Sequence, residues 1–186
     1  MKNGIIVYGF PSIGKSTLCN SKENQGRFLD LESSDYQWVF TDEMKKMSVE
    51  ERKGIEKQKN PEWPENYTKA IIQARKSYDY IFIAHEGKIQ CQKNNIPYWL
   101  IFPDHDCKDE YIQRMRARGN PEEFVAKIAQ NYDNFVKGCF DDPLAERKIV
   151  MKKGEYLADI FKRIELENNQ DMTMNREYVA ENKNWI

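Results

Sequence analysis

Short apolar runs alternate with amphipathic or polar stretches along the chain. A strand buried on both faces of a parallel sheet carries a continuous run of β-branched and aromatic residues. Runs of this kind predict five strands, at residues 4–8, 27–31, 79–84, 97–103 and 147–151. Because helical or long intervening segments separate these strands, we expect βαβ units. The predicted fold is therefore α/β, with three α/β/α layers around a five-stranded, mainly parallel sheet.

Helices are predicted where apolar residues recur at helical spacing or where a capping pattern begins a segment. Short helices are expected at residues 15–21 and 155–166. Asp106 and Asp109 resemble a capping box, with an acid in place of the usual Glu or Gln, and predict a helix that runs to about Arg118. Pro121 predicts the start of the next helix, because proline favours the first turn.

Composition limits the class of protein. Of the 186 residues, 40% are hydrophobic and 12% aromatic, which excludes disorder of the whole chain. The net charge of −1 argues against a protein that depends on the nucleic-acid backbone for its affinity. No apolar run approaches the length of a membrane span, and the N-terminus shows no signal peptide. The four cysteines have no CxxC spacing and are expected to be free thiols. We therefore expect a soluble, cytoplasmic protein without membrane partners, and its oligomeric state stays open.

Residues 9–16 match the GxxxxGK[ST] motif completely, and Thr17 follows. The motif comes directly after a predicted strand and opens a helix, which is the context it requires. Its glycines let backbone N–H groups converge on phosphate oxygens, while Lys15 reaches the β- and γ-phosphates and Ser16 ligates Mg²⁺. The sequence thus predicts a P-loop NTPase fold that binds ATP and Mg²⁺. The predicted nucleotide-binding residues are Gly9, Ser12, Ile13, Gly14, Lys15, Ser16 and Thr17.

The motif alone does not separate kinases from motor ATPases, GTPases or switch proteins. No strand ends in the Asp-Glu pair of motor ATPases, and the chain has no Asn-Lys-x-Asp string. The motif, an acidic second strand and an arginine-rich helix after the fourth strand are present together. With these features, residues 4–164 resemble the small P-loop kinases: the nucleoside monophosphate kinases, such as adenylate and thymidylate kinase, and the shikimate and gluconate kinases. The chain looks most like the compact nucleotide kinase-like proteins of bacteriophages.

The resemblance implies roles for the acidic residues of the second strand and the turn after it. Asp30 and Glu32 alternate along the chain, so both side chains point to the same face. In the kinases, carboxylates of this segment lie near the metal and the acceptor. Asp30 is accordingly expected to hold Mg²⁺ through water beside Ser16, and Asp35 to orient the acceptor. The alternative is a solvated turn.

Further implied roles fall on residues after the third and fourth strands. Glu86 and Lys88 correspond loosely to an acid and a phosphate-binding arginine of adenylate kinases, with lysine in place of the arginine. Arg114 and Arg118 lie four residues apart and share one face of a helix, where the kinases carry lid arginines. Lys15, Arg114, Arg118 and Asp30 are therefore the expected catalytic residues. A solvated basic face paired with Asp109 and Glu110 is the alternative reading of the arginines.

The resemblance also implies a division of the chain into regions. Residues 1–166 are expected to form the kinase-like domain, with an acceptor-binding insertion at 38–62 and a lid-like helical region at 107–136. The turn 152–156 corresponds to the loop beneath the adenine ring, and residues 167–186 are expected to be a polar appendage. Cationic side chains in and near the insertion are candidate ligands of an acceptor phosphate. They are Lys45, Lys46, Arg52 and, on the helix that follows, Arg75.

These expectations lead to one function and two alternatives. The first is an ATP-dependent phosphotransferase that moves the γ-phosphoryl group to a nucleoside or deoxynucleoside monophosphate. The same machinery can act on another small acceptor, such as a nucleoside or a shikimate- or gluconate-like alcohol. A monophosphate acceptor needs a second cluster of cations, whereas a neutral alcohol needs a carboxylate base such as Asp30 or Asp35. A P-loop ATPase or switch protein that transfers nothing is the other alternative.

Overall fold

A computed structural model describes residues 2–47, 51–52 and 55–182, with side chains up to residue 170. Five strands are formed by the described residues. They are β1 (Ile5–Gly9), β2 (Phe28–Leu31), β3 (Tyr80–Ile83), β4 (Tyr98–Pro103) and β5 (Ala145–Met151). The helices lie between and after them. They are α1 (Lys15–Asn20), α2 (Ser34–Gln37), α3 (Asp42–Lys46), α4 (Glu65–Ala74), α5 (His85–Lys93), α6 (Lys108–Ala117), α7 (Glu122–Phe140) and α8 (Leu157–Asn182).

The strands form one sheet in the order β2-β3-β1-β4-β5, and every neighbouring pair is parallel. The prediction of an α/β fold with a five-stranded parallel sheet is confirmed. β1 lies in the centre, where Tyr8 is paired with Ile83 on one side and with Leu100 on the other. All five strands end at the same edge of the sheet, so the segments that leave them meet there.

Helices cover both faces of the sheet. On one face, Phe161 of α8 packs against rings of β2 and β3, and α8 also contacts α1. On the other face, Tyr8 contacts His85 of α5, and Phe102 packs edge-to-face against Phe140 of α7. This arrangement follows from right-handed crossovers between parallel strands. The chain therefore has three layers, helices–sheet–helices.

The ends of β2 and β3 are braced by one buried tyrosine. The Tyr67 hydroxyl donates to the Leu31 carbonyl (2.8 Å) and accepts from the Ala84 N–H (3.1 Å). Burial raises the pKa of Tyr67, so the hydroxyl keeps its proton. Gly87 lets α5 approach this tyrosine, because a Cβ there would lie 2.9 Å from Ile83 Cβ and 3.1 Å from Tyr67 Cε1.

Two helix boundaries differ from the prediction. α6 begins at Lys108 and has no side-chain cap. A 3₁₀ turn at His105–Cys107 precedes it, and that turn is capped by Asp104, whose carboxylate accepts from the His105 N–H (2.7 Å). The predicted capping box of Asp106 and Asp109 was therefore wrong. α8 extends to Asn182, so residues 167–182 of the predicted polar tail continue the helix. The sequence after Gly154 contains no glycine or proline that would end it.

The described part of the insertion at 38–62 contains little regular secondary structure. It contains α3 and an antiparallel bridge between Trp38 and Lys59, while residues 48–50 and 53–54 lie outside the described part of the chain.

The four cysteines are free thiols, as predicted. Among the helices of the described residues, none combines the length and the apolar character needed to cross a bilayer.

Two helical glycines provide a matched test of this packing. Gly87→Ala and Gly138→Ala both gain about 1 kcal/mol of helix propensity. A Cβ at Gly138 meets nothing within 4 Å, whereas at Gly87 it meets Ile83 and Tyr67. Overpacking of this kind costs about 1–3 kcal/mol. In urea unfolding, Gly87→Ala should be less stable than Gly138→Ala by about that amount. Equal stabilities would contradict the close packing of α5 on Tyr67.

Candidate functional site

The 9–16 segment, called here the motif loop, leaves the central strand at the carboxyl edge of the sheet. Hydrogen bonds anchor it on two sides. The Phe10 N–H donates to the Ile101 carbonyl of β4 (3.0 Å), and the Leu157 N–H donates to the Ile13 carbonyl (3.0 Å). In an open parallel sheet, ligands bind in the crevice outside the carboxyl ends of the strands, where neighbouring connections diverge. The carboxyl end of β1 is such a place, because the connection from β1 runs to β2 on one side of the sheet and the connection from its neighbour β4 runs to β5 on the other.

The backbone of the motif loop adopts left-handed conformations at two positions. Gly14 has φ 97°, where glycine is favoured, and Ser12 has φ 61°, which is uncommon for a residue with a side chain. The Ser12 Oγ atom is buried and has no hydrogen-bond partner among the described residues. An unpaired buried hydroxyl costs free energy, so its presence in a strained loop favours a polar ligand.

Four polar side chains meet at the motif loop: its own Lys15 and Ser16, Asp30 of β2, and Arg118 from the end of α6. Lys15 Nζ donates to the Gly9 carbonyl (3.2 Å), and Ser16 Oγ donates to Asp30 Oδ2 of β2 (3.3 Å). Arg118 reaches the same hydroxyl from α6, with its Nη2 atom 3.4 Å from Ser16 Oγ. The side chains border a cleft of about 330 Å³. Its lining residues are Ser12, Gly14, Lys15, Ser16, Thr17, Arg114, Ala117, Arg118 and Tyr156.

The charges of Lys15 and Arg118 in this cleft and those of Asp30 and Glu32 beside it perturb one another. Burial lowers the pKa of Lys15, Asp30 and Glu32 oppose that shift, and Arg118 adds to it. The Glu32 side chain reaches solvent, yet loss of hydration raises its pKa, as do Asp30 and Asp35, while Lys15 and Arg118 lower it. Two cations and two carboxylates therefore share one partly dehydrated site. Groups with such shifts in a cleft are typical of functional sites.

The donor set beside Ser16 fits Mg²⁺. Magnesium prefers oxygen ligands and is held by one or two protein groups together with water and substrate phosphates. The Ser16 hydroxyl and the Asp30 carboxylate provide two such oxygens 3.3 Å apart. The described residues contain no cluster of three or more His, Cys, Asp or Glu side chains that would enclose a metal by itself. The geometry therefore suits an ion that arrives with a phosphate ligand.

Arg114 is fixed in place by the turn between β5 and α8. Its Nη1 and Nη2 atoms both donate to the Glu155 carbonyl (3.0 Å each), it pairs with Glu110, and its guanidinium lies 3.8 Å from the Tyr156 ring centroid. Glu110 also accepts from the Gly154 N–H (3.0 Å). These contacts tie α6 to the turn, and they leave Arg118 as the α6 arginine that points at Ser16.

Most of the predicted site residues lie at the carboxyl edge of the sheet with the motif loop, but Arg75 and Lys88 are not directed to the cleft. Arg75 lies at the amino edge of the sheet, where its Nε donates to the Gly4 carbonyl (2.9 Å). Lys88 forms an ion pair with Asp142 (3.3 Å), whose side chain is only 2% exposed. Arg75 therefore lies at the opposite end of β1 from the motif loop, which gives no support to its predicted contact with the acceptor. Lys88 is held by a buried carboxylate rather than presented to the cleft.

The remaining predicted acids lie at the carboxyl edge. Asp35 is exposed on α2, and its N–H donates to the Glu32 carbonyl (3.3 Å). Glu86 is in the first turn of α5 and accepts from Gln90 Nε2 (2.7 Å). Glu155 and Tyr156 belong to the turn expected beneath the adenine ring, but no side-chain contact was predicted for them, and Glu110 appeared only as a surface partner. The i, i+4 spacing of Glu110 and Arg114 was the one sign of this contact in the sequence.

Comparisons with known proteins add little. No family model matches the sequence, and no curated protein matches it. Among solved structures, the chain is similar to an uncharacterized protein from Eubacterium ventriosum. The two are 16% identical, with a TM-score of 0.44, and the match covers 90% of this chain and 99% of the other. At this identity and score the likeness carries no argument about function.

The contacts of Glu110 can be tested against its neighbour. Glu110→Ala removes the acceptor of the Gly154 N–H and the partner of Arg114, so we expect unfolding free energy to fall by about 1–2 kcal/mol. Asp109→Ala is the matched control, because Asp109 is exposed on the same helical turn. Thermal and urea unfolding measure both. If the two variants lose the same stability, the link between α6 and the turn is not a stabilising contact.

Proposed function

We propose that this chain is a P-loop phosphotransferase that transfers the γ-phosphoryl group of ATP, with Mg²⁺, to a small acceptor. The observation that carries the proposal is the convergence of Lys15, the Ser16–Asp30 pair and Arg118 on a strained loop. The loop also contains the unpaired Ser12 hydroxyl, which a phosphate oxygen would satisfy. Lysine, arginine and a metal-binding hydroxyl are the groups that phosphoryl transfer requires.

Each group has a part in the proposed reaction. Lys15 and Arg118 neutralise charge on the transferred phosphoryl group, and their positions are set before the substrate arrives. Ser16 and Asp30 are the residues that would hold Mg²⁺, and the ion would supply positive charge that offsets the charge of the phosphates. The acceptor oxygen forms a bond to the γ-phosphorus while the bond to the β–γ bridging oxygen breaks, and that electron pair leaves with ADP. No covalent enzyme intermediate is involved.

The acceptor expected from the sequence is a nucleoside or deoxynucleoside monophosphate, and that class stays part of the proposal. Such an acceptor needs its own cations. Four of the candidate cations named from the sequence contact other groups of the protein. They are Arg75 with Gly4, Lys88 with Asp142, Lys45 with Asp42, and Arg52 over the Phe40 ring. Asp30, Glu32 and Asp35 lie on the β2 side of the motif loop instead. This observation favours the second candidate, an acceptor hydroxyl without a phosphate.

A hydroxyl acceptor gives Glu32 a role. An alcohol must lose its proton as it attacks, and a carboxylate within reach accelerates that step by about 10²–10⁴-fold. The proton passes to Glu32 and then to solvent. Because a monophosphate acceptor attacks through an oxygen that is already ionised, it needs no such base.

The two arginines of α6 give the first test of the proposed reaction. Arg118→Ala should lower kcat by about 10³-fold, because an arginine on the transferred group contributes on that scale. Arg116→Ala is the matched control, since Arg116 pairs with Glu122 on the surface. Lys15→Ala should abolish both turnover and binding of ATP. A coupled assay of ADP release and calorimetry measure these effects. Equal activity of the Arg118 and Arg116 variants would contradict the role of Arg118.

The acceptor class is tested by Glu32→Gln and by pH. A screen of nucleotides, nucleosides and sugar alcohols identifies the acceptor from ADP release above the acceptor-free rate. For a hydroxyl acceptor, ionised Glu32 is the active form, so activity falls as pH falls through its pKa. Because that pKa is raised, the loss occurs at a higher pH than for an ordinary glutamate. Glu32→Gln should remove this acidic limb and lower kcat by about 10²-fold or more. Glu86→Gln is the control carboxylate.

Other outcomes separate the remaining candidates. If a monophosphate is the acceptor and Glu32→Gln leaves kcat unchanged, the first candidate stands and the second falls. Slow ADP release that no acceptor stimulates would instead support an ATPase or switch protein. Absence of heat on addition of ATP and Mg²⁺ would contradict nucleotide binding itself.

A further inference from the structure

A cleft of about 520 Å³, called here the amino-edge cleft, lies at the opposite end of β1 from the motif loop. It forms where β1 and β4 have not yet paired, since their pairing begins only at Val7 and Trp99. The start of β5 and the end of α4 complete its wall, which has charged and apolar members. They are Arg75, Glu146, Arg147, Ile5, Pro97 and Trp99. The proposed phosphotransferase reaction uses none of these residues.

Arg75 is held at this cleft by its contacts with the start of β1. Its Nε donates to the Gly4 carbonyl (2.9 Å), and the Gly4 N–H donates to the Arg75 carbonyl (2.8 Å). Glycine is required there, because a Cβ at Gly4 would lie 2.2 Å from the Tyr78 carbonyl oxygen. The two terminal nitrogens of Arg75, Nη1 and Nη2, have no hydrogen-bond or ion-pair partner among the residues that the structure describes. A half-buried guanidinium is thus oriented by the protein and left with donors for a ligand.

Another part of the wall is shaped by an irregularity in the pairing of β4 with β5. The register shifts between Tyr98 and Trp99, which leaves Glu146 out of the pairing with β4. Bulges of this kind redirect side chains and are common beside functional sites. The shift places Arg147 opposite Trp99, and its guanidinium lies 5.0 Å from the ring centroid. Glu167 of α8 pairs with Arg147 (2.8 Å), so the positive charge beside the indole is already balanced.

The charges of the amino-edge cleft favour an anion as ligand. Arg147 is paired and Glu146 is exposed to solvent, whereas Arg75 is half-buried with unused donors. A planar guanidinium binds two oxygens of a carboxylate or phosphate group through parallel hydrogen bonds. The partly buried side chains of Ile5 and Trp99 offer apolar contact in the same cleft. Ligand sites combine an apolar wall with a few polar groups that fix orientation.

We propose that the amino-edge cleft is a second ligand site, which binds a small organic anion. Its carboxylate or phosphate group is held by Arg75, and its flat apolar body lies against Trp99. The site does not depend on nucleotide binding at the motif loop, because the two clefts share no lining residue. Glu146 in the wall disfavours a highly charged ligand such as a triphosphate, so the two clefts take different ligands.

Three probes test the chemistry of this site. Naphthoate and naphthyl phosphate carry the two kinds of oxyanion, and naphthylmethanol is the neutral analogue. Proton–nitrogen NMR correlation spectra of the full chain follow the indole N–H signals, and Trp99→Phe assigns the signal of Trp99. We expect that signal to shift with at least one of the two anions, and the better binder identifies the preferred oxyanion. The alcohol should bind about tenfold more weakly or worse, because hydrogen bonds to charged groups contribute on that scale.

Two variants test the residues that form the site. Arg75→Gln removes the charge and should weaken the preferred anion by about tenfold or more. Lys76→Gln is its matched control, since Lys76 is exposed at the next position and contacts Gln73. Asn3→Trp fills the cleft from an exposed position and should weaken binding by a similar factor while Arg75 is kept. Phe124→Trp is the control for that change, because Phe124 is 39% exposed on α7, which contributes no residue to the cleft.

The same spectra show whether each variant is folded, so the outcomes are decisive. An unshifted Trp99 signal in excess of both anions would overturn the proposal. Equal binding of naphthylmethanol would overturn it too, as would equal weakening in Arg75→Gln and Lys76→Gln. If Arg75→Gln does not fold, normal binding by Asn3→Trp would decide against the site.

A further variant separates the two clefts. Loss of the Trp99 shift in Lys15→Ala but not in Arg75→Gln would assign the anion to the motif loop and overturn the second site. The probes are not nucleotides, so their failure to bind leaves the proposed function standing. Failure of ATP to bind would likewise leave the amino-edge site standing.

Discussion

The parallel pairing of β1 with strands on both sides is the constraint on which the rest of the structure depends. Because β3 and β4 occupy both edges of β1, the chain that leaves Gly9 has to turn above the middle of the sheet. Within the motif loop, the Phe10 N–H continues the hydrogen bonding to β4 for one more residue. The ends of β2, β3 and β4 and the start of α8 surround it. Residues from distant parts of the chain reach Ser16 for this reason.

The position of Lys15 above the centre of the sheet disfavours its positive charge. Lys15 lies in a partly dehydrated cleft close to Arg118, and both effects disfavour its charge. Asp30 and Glu32 offset that cost in the free protein. A triphosphate would bring several negative charges to the same place and would compete with these carboxylates for Lys15 and Arg118. In the proposed function, a divalent cation held by Ser16 and Asp30 would relieve that repulsion.

The features that could be predicted from the sequence are local ones. Buried parallel strands carry unbroken apolar runs, and the motif loop has a fixed spacing, so both are visible in a single segment. The position of Arg75 could also have been deduced. α4 connects β2 to β3 and returns from the carboxyl to the amino edge, so its last turn cannot lie near the motif loop. The length of α8 was missed because residues after 166 show no apolar periodicity, only the absence of helix breakers.

The contacts of Glu110 depend on tertiary structure that no local pattern records. Its partner Gly154 N–H is 44 residues away, and that N–H is presented only because Gly154 has φ 81° in the turn after β5. Arg114 is bound to the same turn through the Glu155 carbonyl. By contrast, Arg118 has a single long contact with Ser16, at 3.4 Å. Movement of α6 away from the motif loop therefore breaks one weak contact at Arg118 but several at Arg114. These contacts fix α6 to the 154–156 turn, so the position of Arg118 at the end of α6 depends on the turn that also carries Tyr156.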